Sequence, residues 1–386
     1  MNLAFTDEEE AFAAEIRAWL AGNLELPPTF ESLDEEIAWG RSWQAKLARD
    51  RWVGIQWPVE YGGRGASAVD VAIFNMEYAR SRALQPVNRV GLNLAGPTLL
   101  AHGTDEQKQR WLASILDASE IWCQLFSEPD AGSDLASLST RATAVEGGWL
   151  LNGQKVWTSY AQYARWGICL ARTDPDESKH KGISYLVVDM QADGIEIRPL
   201  VQITGEAEFN EVFFDDVFVP DDQLVGGLSQ GWAVANTTLA HERGTAFPFK
   251  EQVVHEVYLD ELFALAAAGQ RLDEPEIADA LAQSFVELRV LRLHNWRTLS
   301  RVSRGIEPGP ESSWVKLAWS DMTQHLSDTA LAVVGEPAPL WHDARDNPAD
   351  GKWQRQWLWS KAASIAGGTS EIQRTIIGER ILGLPR

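Results

Sequence analysis

The 386-residue sequence predicts an α+β protein whose helices and strands occupy separate stretches of chain. Three observations carry this. From Phe5 to about Ser119, apolar residues recur at helical spacing. From about Ile121 to Val225, the runs are short, β-branched or aromatic, and separated by Gly, Asp and Pro. From about Gly227 the helical period returns and lasts to the C-terminus. These changes of period divide the chain into a helical domain over 1–120, a β-domain over 121–226 and a second helical domain over 227–386. No internal repeat or low-complexity tract interrupts them.

In the first stretch Thr6 is placed to cap a helix, with Glu9 three residues on to complete a capping box. Trp57-Pro58-Val59-Glu60-Tyr61-Gly62-Gly63-Arg64-Gly65 breaks the helices with a rigid loop. One helix is expected to end at Gly103 and the next to be capped by Thr104. The runs at Gly167–Ala171, Ile183–Val188 and Glu211–Phe214 read as strands. A helix-period segment through Val286–Leu291 marks the last third.

With 45% hydrophobic and 23% charged residues the chain can bury a sizeable core and is not a disordered polymer. Core packing is the commoner use of its 18 Trp residues, several of which cluster, as at Trp353, Trp357 and Trp359. Acidic residues outnumber basic ones 55 to 34, a formal charge of −21, which disfavours nucleic acid and anionic membranes as partners. An anionic substrate must therefore meet a locally basic or N–H-rich site. Cys123 and Cys169 have no metal-ligand spacing and imply no disulfide framework. The start of the chain is acidic and helical in pattern, unlike a signal peptide, and no apolar run approaches the roughly 20 residues of a membrane span, so the cytoplasm is the expected compartment.

The most informative stretch runs from Ser127 to Ser159. Ser127-Glu128-Pro129-Asp130-Ala131-Gly132-Ser133-Asp134 is a small-residue turn with backbone N–H groups and hydroxyls suited to phosphate and carbonyl oxygens. Leu151-Asn152-Gly153-Gln154-Lys155-Val156-Trp157-Thr158-Ser159 puts an indole and two hydroxyls at the end of a strand-like run, suited to a flat ring with a polar edge. The bland alternative is a β-hairpin in which Asn152-Gly153 is only the turn.

In wording and spacing this stretch resembles the middle domain of the flavin-dependent acyl-CoA dehydrogenases. The resemblance runs nearly end to end, through Gly103-Thr104-Asp105-Glu106-Gln107-Lys108, Phe214-Asp215-Asp216-Val217-Phe218-Val219-Pro220 and Gly367-Gly368-Thr369-Ser370-Glu371-Ile372-Gln373-Arg374. The Trp57-Pro58 loop, the segment Pro308–Ser313 and the Leu382–Arg386 ending look like the family's actinobacterial branch, some members of which act on steroid side chains. The resemblance implies an N-terminal helical domain, a β-barrel-like middle domain and a C-terminal four-helix bundle. It also implies FAD as cofactor, an electron-transfer flavoprotein as acceptor, assembly as a homodimer or homotetramer, and no metal.

By the same resemblance, Phe126 and Ser127 meet the pyrimidine edge of the flavin, and Gly132 and Ser133 contact the cofactor and the substrate's pantetheine. Trp157 packs beside the isoalloxazine, Ser159 places its hydroxyl near N5, and Thr158 lies between them. Gly368, Thr369 and Glu371 meet the adenosine half. Thr369 also has the plainer reading of a helix N-cap. Many family members place the catalytic Glu directly before the Gly-Thr of the C-terminal motif, where this chain has Gly367. A second subgroup places it on an earlier helix, and there the matching residue is Glu242, the expected base. Arg243 matches a position near bound substrate. The alternative, a solvated Glu242-Arg243 pair, is the usual fate of charged neighbours on a helix. The family's Arg-x-x-Phe-Gly element, which serves a neighbouring subunit's flavin pyrophosphate, is missing. Its region reads Ala268-Gly269-Gln270-Arg271-Leu272-Asp273-Glu274-Pro275-Glu276, and only Arg271 stands as a substitute. That gap opens a second expectation: a non-catalytic subunit that completes the flavin site of a heteromeric partner.

Overall fold

The computed structural model describes residues 5–242, 246–306, 309–341 and 347–385. Helix α1 (Asp7–Asn23) begins at the expected capping box: Glu9 N–H donates to Thr6 Oγ1 at 3.3 Å, and Thr6 N–H donates to the Glu9 carboxylate at 2.7 Å. Helices α2 (Leu33–Arg49), α3 (Ala68–Arg80), α4 (Gly96–His102) and α5 (Asp105–Leu116) complete the first helical stretch. Thr104 and Gln107 form the same reciprocal cap on α5. The strands follow as β1 (Trp122–Leu125), β2 (Arg141–Val145), β3 (Gly148–Ser159), β4 (Trp166–Arg172), β5 (Ile183–Asp189), β6 (Ile195–Leu200), β7 (Phe209–Pro220) and β8 (Leu224–Val225). The last stretch holds α6 (Gly231–Glu242), α7 (Ala246–Ala268), α8 (Pro275–Val302), α9 (Ser312–Val334), α10 (Lys352–Ser360) and α11 (Ser370–Ile376).

These elements collect into two compact units that do not follow chain order. One takes Met1–Leu26, Ser67–Ala83 and Arg243–Arg386; the other takes Pro27–Ala66 and Leu84–Glu242. In the helical unit, α7, α8 and α9 pack pairwise, α10 and α11 lie against α9, and α3 packs on α7. Leu262, Leu281, Leu288, Trp319, Met322 and Trp353 form its core. Glu77 of α3 is buried and accepts from Arg17 of α1 at 3.3 Å and from Arg80 at 2.9 Å.

The sheet unit corrects one expectation. Its eight strands run in the order β6-β7-β3-β2-β4-β5-β8, with β1 beside β4, as an open sheet and not a closed barrel. Closure fails because, among the described residues, β6 pairs only with β7 and the two-residue β8 only with β5. Within the sheet, β1 and β2 share one edge of β4. β1 runs parallel to Trp166–Cys169, and β2 meets β4 at the single pair Arg141↔Arg172. Asn152-Gly153 is not the hairpin turn. Its residues lie inside β3, and the β2–β3 hairpin closes at Val145↔Gly148. Gly153 is required there for space as well as for its φ of +149°, since a Cβ would sit 2.6 Å from Thr140 Oγ1.

The sheet core contains Leu125, Leu151, Cys169, Val188, Val212 and Phe214. Both cysteines are free and buried, and burial pushes the Cys169 thiol up to about 11. Trp111, Trp122 and Trp166 pack as a triangle with centroids 5.6–6.3 Å apart. Asn88 ties this region together: its amide donates to the carbonyls of Ile115 (3.1 Å) and Glu120 (2.9 Å), and its oxygen accepts from Trp122 N–H at 2.9 Å.

A fully buried ion pair also sits in this core. Lys155 Nζ donates to Glu128 Oε1 at 2.8 Å, Leu170 O at 2.8 Å and Phe126 O at 3.1 Å, which uses all three ammonium protons. Glu128 accepts in addition from Thr140 N–H (2.9 Å), Ser139 N–H (2.6 Å) and Ser139 Oγ–H (2.8 Å). Burial by itself raises a carboxyl; the Lys155 charge and these donors override it and hold Glu128 at about 2. A carboxyl depressed on folding stabilises the fold above its unfolded pKa, and that contribution is lost as pH falls through the folded value. Glu128→Gln is therefore expected to cost about 3–5 kcal/mol at neutral pH, because it leaves a buried ammonium unpaired. Its stability should then fall less steeply than wild type between pH 4.5 and about 2, measured by urea melts across that range. Parallel pH profiles for the two proteins would contradict this.

Candidate active site

Two segments of the sheet unit, the turn after β1 and the end of β3, lie against each other. Val156 N–H donates to Ser127 O at 2.9 Å, which fixes the turn after β1 against the end of β3. The turn is closed by reciprocal Glu128–Ala131 backbone bonds of 3.1 Å. Beyond it Gly132 and Ser133 are exposed, and a Cβ built at Gly132 meets nothing within 4 Å. Lys155 and Val156 take the carbonyls of Phe126 and Ser127, so the turn presents the Ser127 hydroxyl, which is bonded to no other described residue. The hydroxyls of Ser133 and Ser159 are likewise unpartnered among the described residues.

Trp157 has a backbone that bulky residues rarely adopt, with φ at +61°. The cause lies in the pairing of β3 with β7. Lys155 faces Val212 and Thr158 faces Asn210, so β3 carries one residue more than its partner and bulges. The bulge turns the indole outward: Trp157 is 61% exposed, resting edge-on against Phe209 with centroids 6.1 Å apart. Such strain costs of order 1–3 kcal/mol and collects at functional sites. Thr158 points inward, and among the described residues its buried Oγ1 has no partner, nor has Asn210 Oδ1 opposite it. Asn210 Nδ2 holds the Thr158 carbonyl at 3.1 Å. Next to Ser159, Tyr160 also has a positive φ, and its hydroxyl lies 3.2 Å from both Arg89 and Glu208. Burial pushes the Tyr160 phenol up to about 12 against the Arg89 charge.

The helix expected to carry the base belongs to the same unit. Gly231 lets α6 start against β5, where a Cβ would lie 2.4 Å from the Ser184 carbonyl carbon. Thr238 Oγ1 is 2.8 Å from Thr98 Oγ1 and 3.3 Å from the Tyr185 hydroxyl, and Thr237 Oγ1 is 2.8 Å from His102 Nε2. Tyr185 in turn meets the Phe126 ring edge-on, with centroids 6.0 Å apart. Phe126 and helix α6 thus rest on one tyrosine. Glu242 is the last residue of α6; its side chain, and Arg243 as a whole, lie outside the described residues.

The C-terminal motif forms a local group in the helical unit. Gly367 and Gly368 take φ values of +67° and +94°. Buried Gln373 donates through Nε2 to both their carbonyls at 3.2 Å. Thr369 caps α11, accepting from Ile372 N–H at 3.3 Å, so the plainer reading of this residue describes its contact. Glu371 is exposed, 3.5 Å from Arg374. Arg271 is committed elsewhere: it donates to both Glu274 oxygens (2.8 and 2.7 Å) and to the carbonyls of Ala332 (2.6 Å) and Val333 (2.9 Å).

Sequence reasoning missed Lys155, Tyr185, Thr238, Asn210 and Gln373. Lys155 had a signal: it falls on the inward-facing period of β3 with Trp149 and Leu151. The others act through contacts distant in sequence or backbone-directed and left none. The residues present suit a flavin: an outward indole, a turn with open space at Gly132, and unpartnered hydroxyls at Ser127 and Ser159. Among the described residues no His, Cys, Asp or Glu cluster could hold a metal ion, and no helix is long and apolar enough to cross a membrane.

Comparison with known proteins agrees over nearly the whole chain. Residues 6–119, 123–217 and 229–382 match the N-terminal, middle and C-terminal domain models of acyl-CoA dehydrogenase. Acyl-CoA dehydrogenase IpdE1 of Mycobacterium tuberculosis is 41% identical over 386 residues, covering 98% of each chain. Among solved structures, the ChsE4-ChsE5 complex from Mycobacterium tuberculosis matches at 32% identity with a TM-score of 0.84, over 100% of both chains. The Tcur3481-Tcur3483 steroid ACAD matches at 28% identity with a TM-score of 0.87, also over 100% of both. The chain therefore belongs to the acyl-CoA dehydrogenase family, and is an oxidoreductase acting on acyl-CoA with FAD as its cofactor.

Proposed function

We propose that this chain catalyses α,β-dehydrogenation of an acyl-CoA thioester to the trans-2-enoyl-CoA, with Glu242 as the base. The observation that carries this reading is the anchoring of α6. Its Thr238 is fixed by Thr98 and by the Tyr185 that also meets Phe126, so the helix that ends at Glu242 is anchored within the unit that carries Ser127 and Trp157. The alternative family position is Gly367, which has no side chain. In this reading the Glu242 carboxylate takes the proton from the substrate α-carbon. FAD, when bound, accepts the hydride leaving the β-carbon. Phe126 and Ser127 meet the pyrimidine edge of the ring, Trp157 walls it, Ser159 offers its hydroxyl near N5 with Thr158 between the two, and Gly132 and Ser133 line the approach of the pantetheine. Gly368, Thr369 and Glu371 are assigned to the adenosine half, and Arg243 to the substrate. The steroid ACAD among the relatives and the small Ala366 beside Gly367 favour a bulky acyl group. An electron-transfer flavoprotein in the cytoplasm is the proposed acceptor.

A specific observation also favours a heteromer in which two related chains each supply part of a shared flavin site. Arg271, the one basic candidate for the missing pyrophosphate contact, is held by Glu274 and the end of α9. Both solved relatives named above are two-component assemblies. A heteromer in which a related chain supplies that contact is compatible with Glu242 as base.

Glu242→Gln should retain flavin and lower the rate of flavin bleaching by acyl-CoA by about 10²- to 10⁴-fold, the usual contribution of a positioned base. Stopped-flow reduction at 450 nm measures it, and unchanged bleaching would remove Glu242 from the mechanism. The wild-type chain purified alone should show flavin absorption if it holds the cofactor by itself. A colourless protein that turns yellow only when co-expressed with a related chain would establish the partner dependence.

A further inference from the structure

Lys155 and Glu128 lie outside the residues assigned to cofactor or substrate, yet they join both walls of the proposed ring site. Lys155 precedes Trp157 by two residues on β3, and its Nζ holds the carbonyl of Phe126. Glu128 immediately follows Ser127, and its carboxylate binds Lys155, Ser139 and Thr140. Both side chains are shut away from water, with relative exposures of 0% and 4%. Every strong donor and acceptor they carry is used within the protein, so neither is free to bind a ligand or exchange a proton. A fixed, saturated pair of this kind sets geometry.

The geometry it sets is the distance from Ser127 to Trp157. Three bonds cross between the walls from adjacent residues: Lys155 to Phe126, Lys155 to Glu128, and Val156 to Ser127. The bulge begins directly after them, where the register to β7 slips between Lys155 and Thr158. The pair therefore holds β3 in place at the point where its backbone departs from the sheet and turns Trp157 outward.

We propose that Glu128 and Lys155 are positioning residues for the flavin ring, holding the Phe126–Ala131 turn against Trp157 so that hydroxyl edge and indole wall fit one flat ring. This rests on the assignment of Ser127 and Trp157 to the flavin. The test uses the purified protein, with any partner chain that accompanies it. The single variants K155M and E128Q each leave a buried group unpaired and should lose stability. The double variant K155M/E128Q leaves no buried charge and should recover most of the melting temperature. Its FAD affinity, measured by quenching of flavin fluorescence, should nonetheless stay about tenfold or more below wild type, with the visible flavin band displaced. A double variant with wild-type affinity and an undisplaced band overturns the proposal, because the pair is then only core. Should the double variant not fold, E128D decides by the same two readouts, since it keeps both charges and shortens the reach by one methylene. A wild type that takes up no FAD, alone or with its partner, removes the flavin assignment and the proposal together.

Discussion

An ammonium group cut off from water must find three acceptors in its own fold, and in the sheet unit the surroundings of Lys155 supply them. Two acceptors come from the turn after β1 and one from Leu170 on β4. The last is informative because β3 and β4 are not ladder neighbours: β2 lies between them and reaches β4 through one residue pair. Lys155 thus spans the thinnest join in the sheet. Satisfying it also draws in Glu128, which needs its own donors and finds them at Ser139 and Thr140. That requirement pins the two ends of the excursion from Phe126 to Thr140.

How legible such features are depends on how far apart their partners lie. Capping boxes at Thr6 and Thr104 are readable because donor and acceptor are three residues apart. Strands at β4 and β5 are readable because continuous apolar runs separate them from helices. Barrel closure came from resemblance and not from any residue, and the unpaired edges of β6 and β8 correct it. Asn152-Gly153 carries the strongest hairpin signal in the region, yet Gly153 is spent on a close approach to Thr140. The left-handed backbone at Trp157 has no local signature, because the register with β7, more than fifty residues on, creates it.

The candidate site follows the same division. The residues proposed to face the flavin could be named from a contiguous motif, and the Val156–Ser127 bond brings the Ser127 and Trp157 segments together. What supports them could not be named: Tyr185 links Phe126 to α6 through contacts 53 residues apart or more. Arg271 shows the converse. Its place in the sequence suggested a ligand contact, but two carbonyls at the end of α9 and one carboxylate satisfy it first. A charged residue near a motif is informative only after its local partners have been counted.

The Gly367-Gly368 turn has a consequence for how this chain can change. Its first residue sits at φ +67°, where any side chain with a Cβ costs roughly 1–2 kcal/mol. The position proposed for the base on α6 and the turn position are therefore unequal destinations for a carboxylate: one lies on regular helix and the other on backbone that favours glycine. Moving the acid from α6 to the turn would require an intermediate sequence that tolerates this penalty before gaining any activity from it. Drift in the other direction meets no such barrier, so the two arrangements need not interconvert with equal ease.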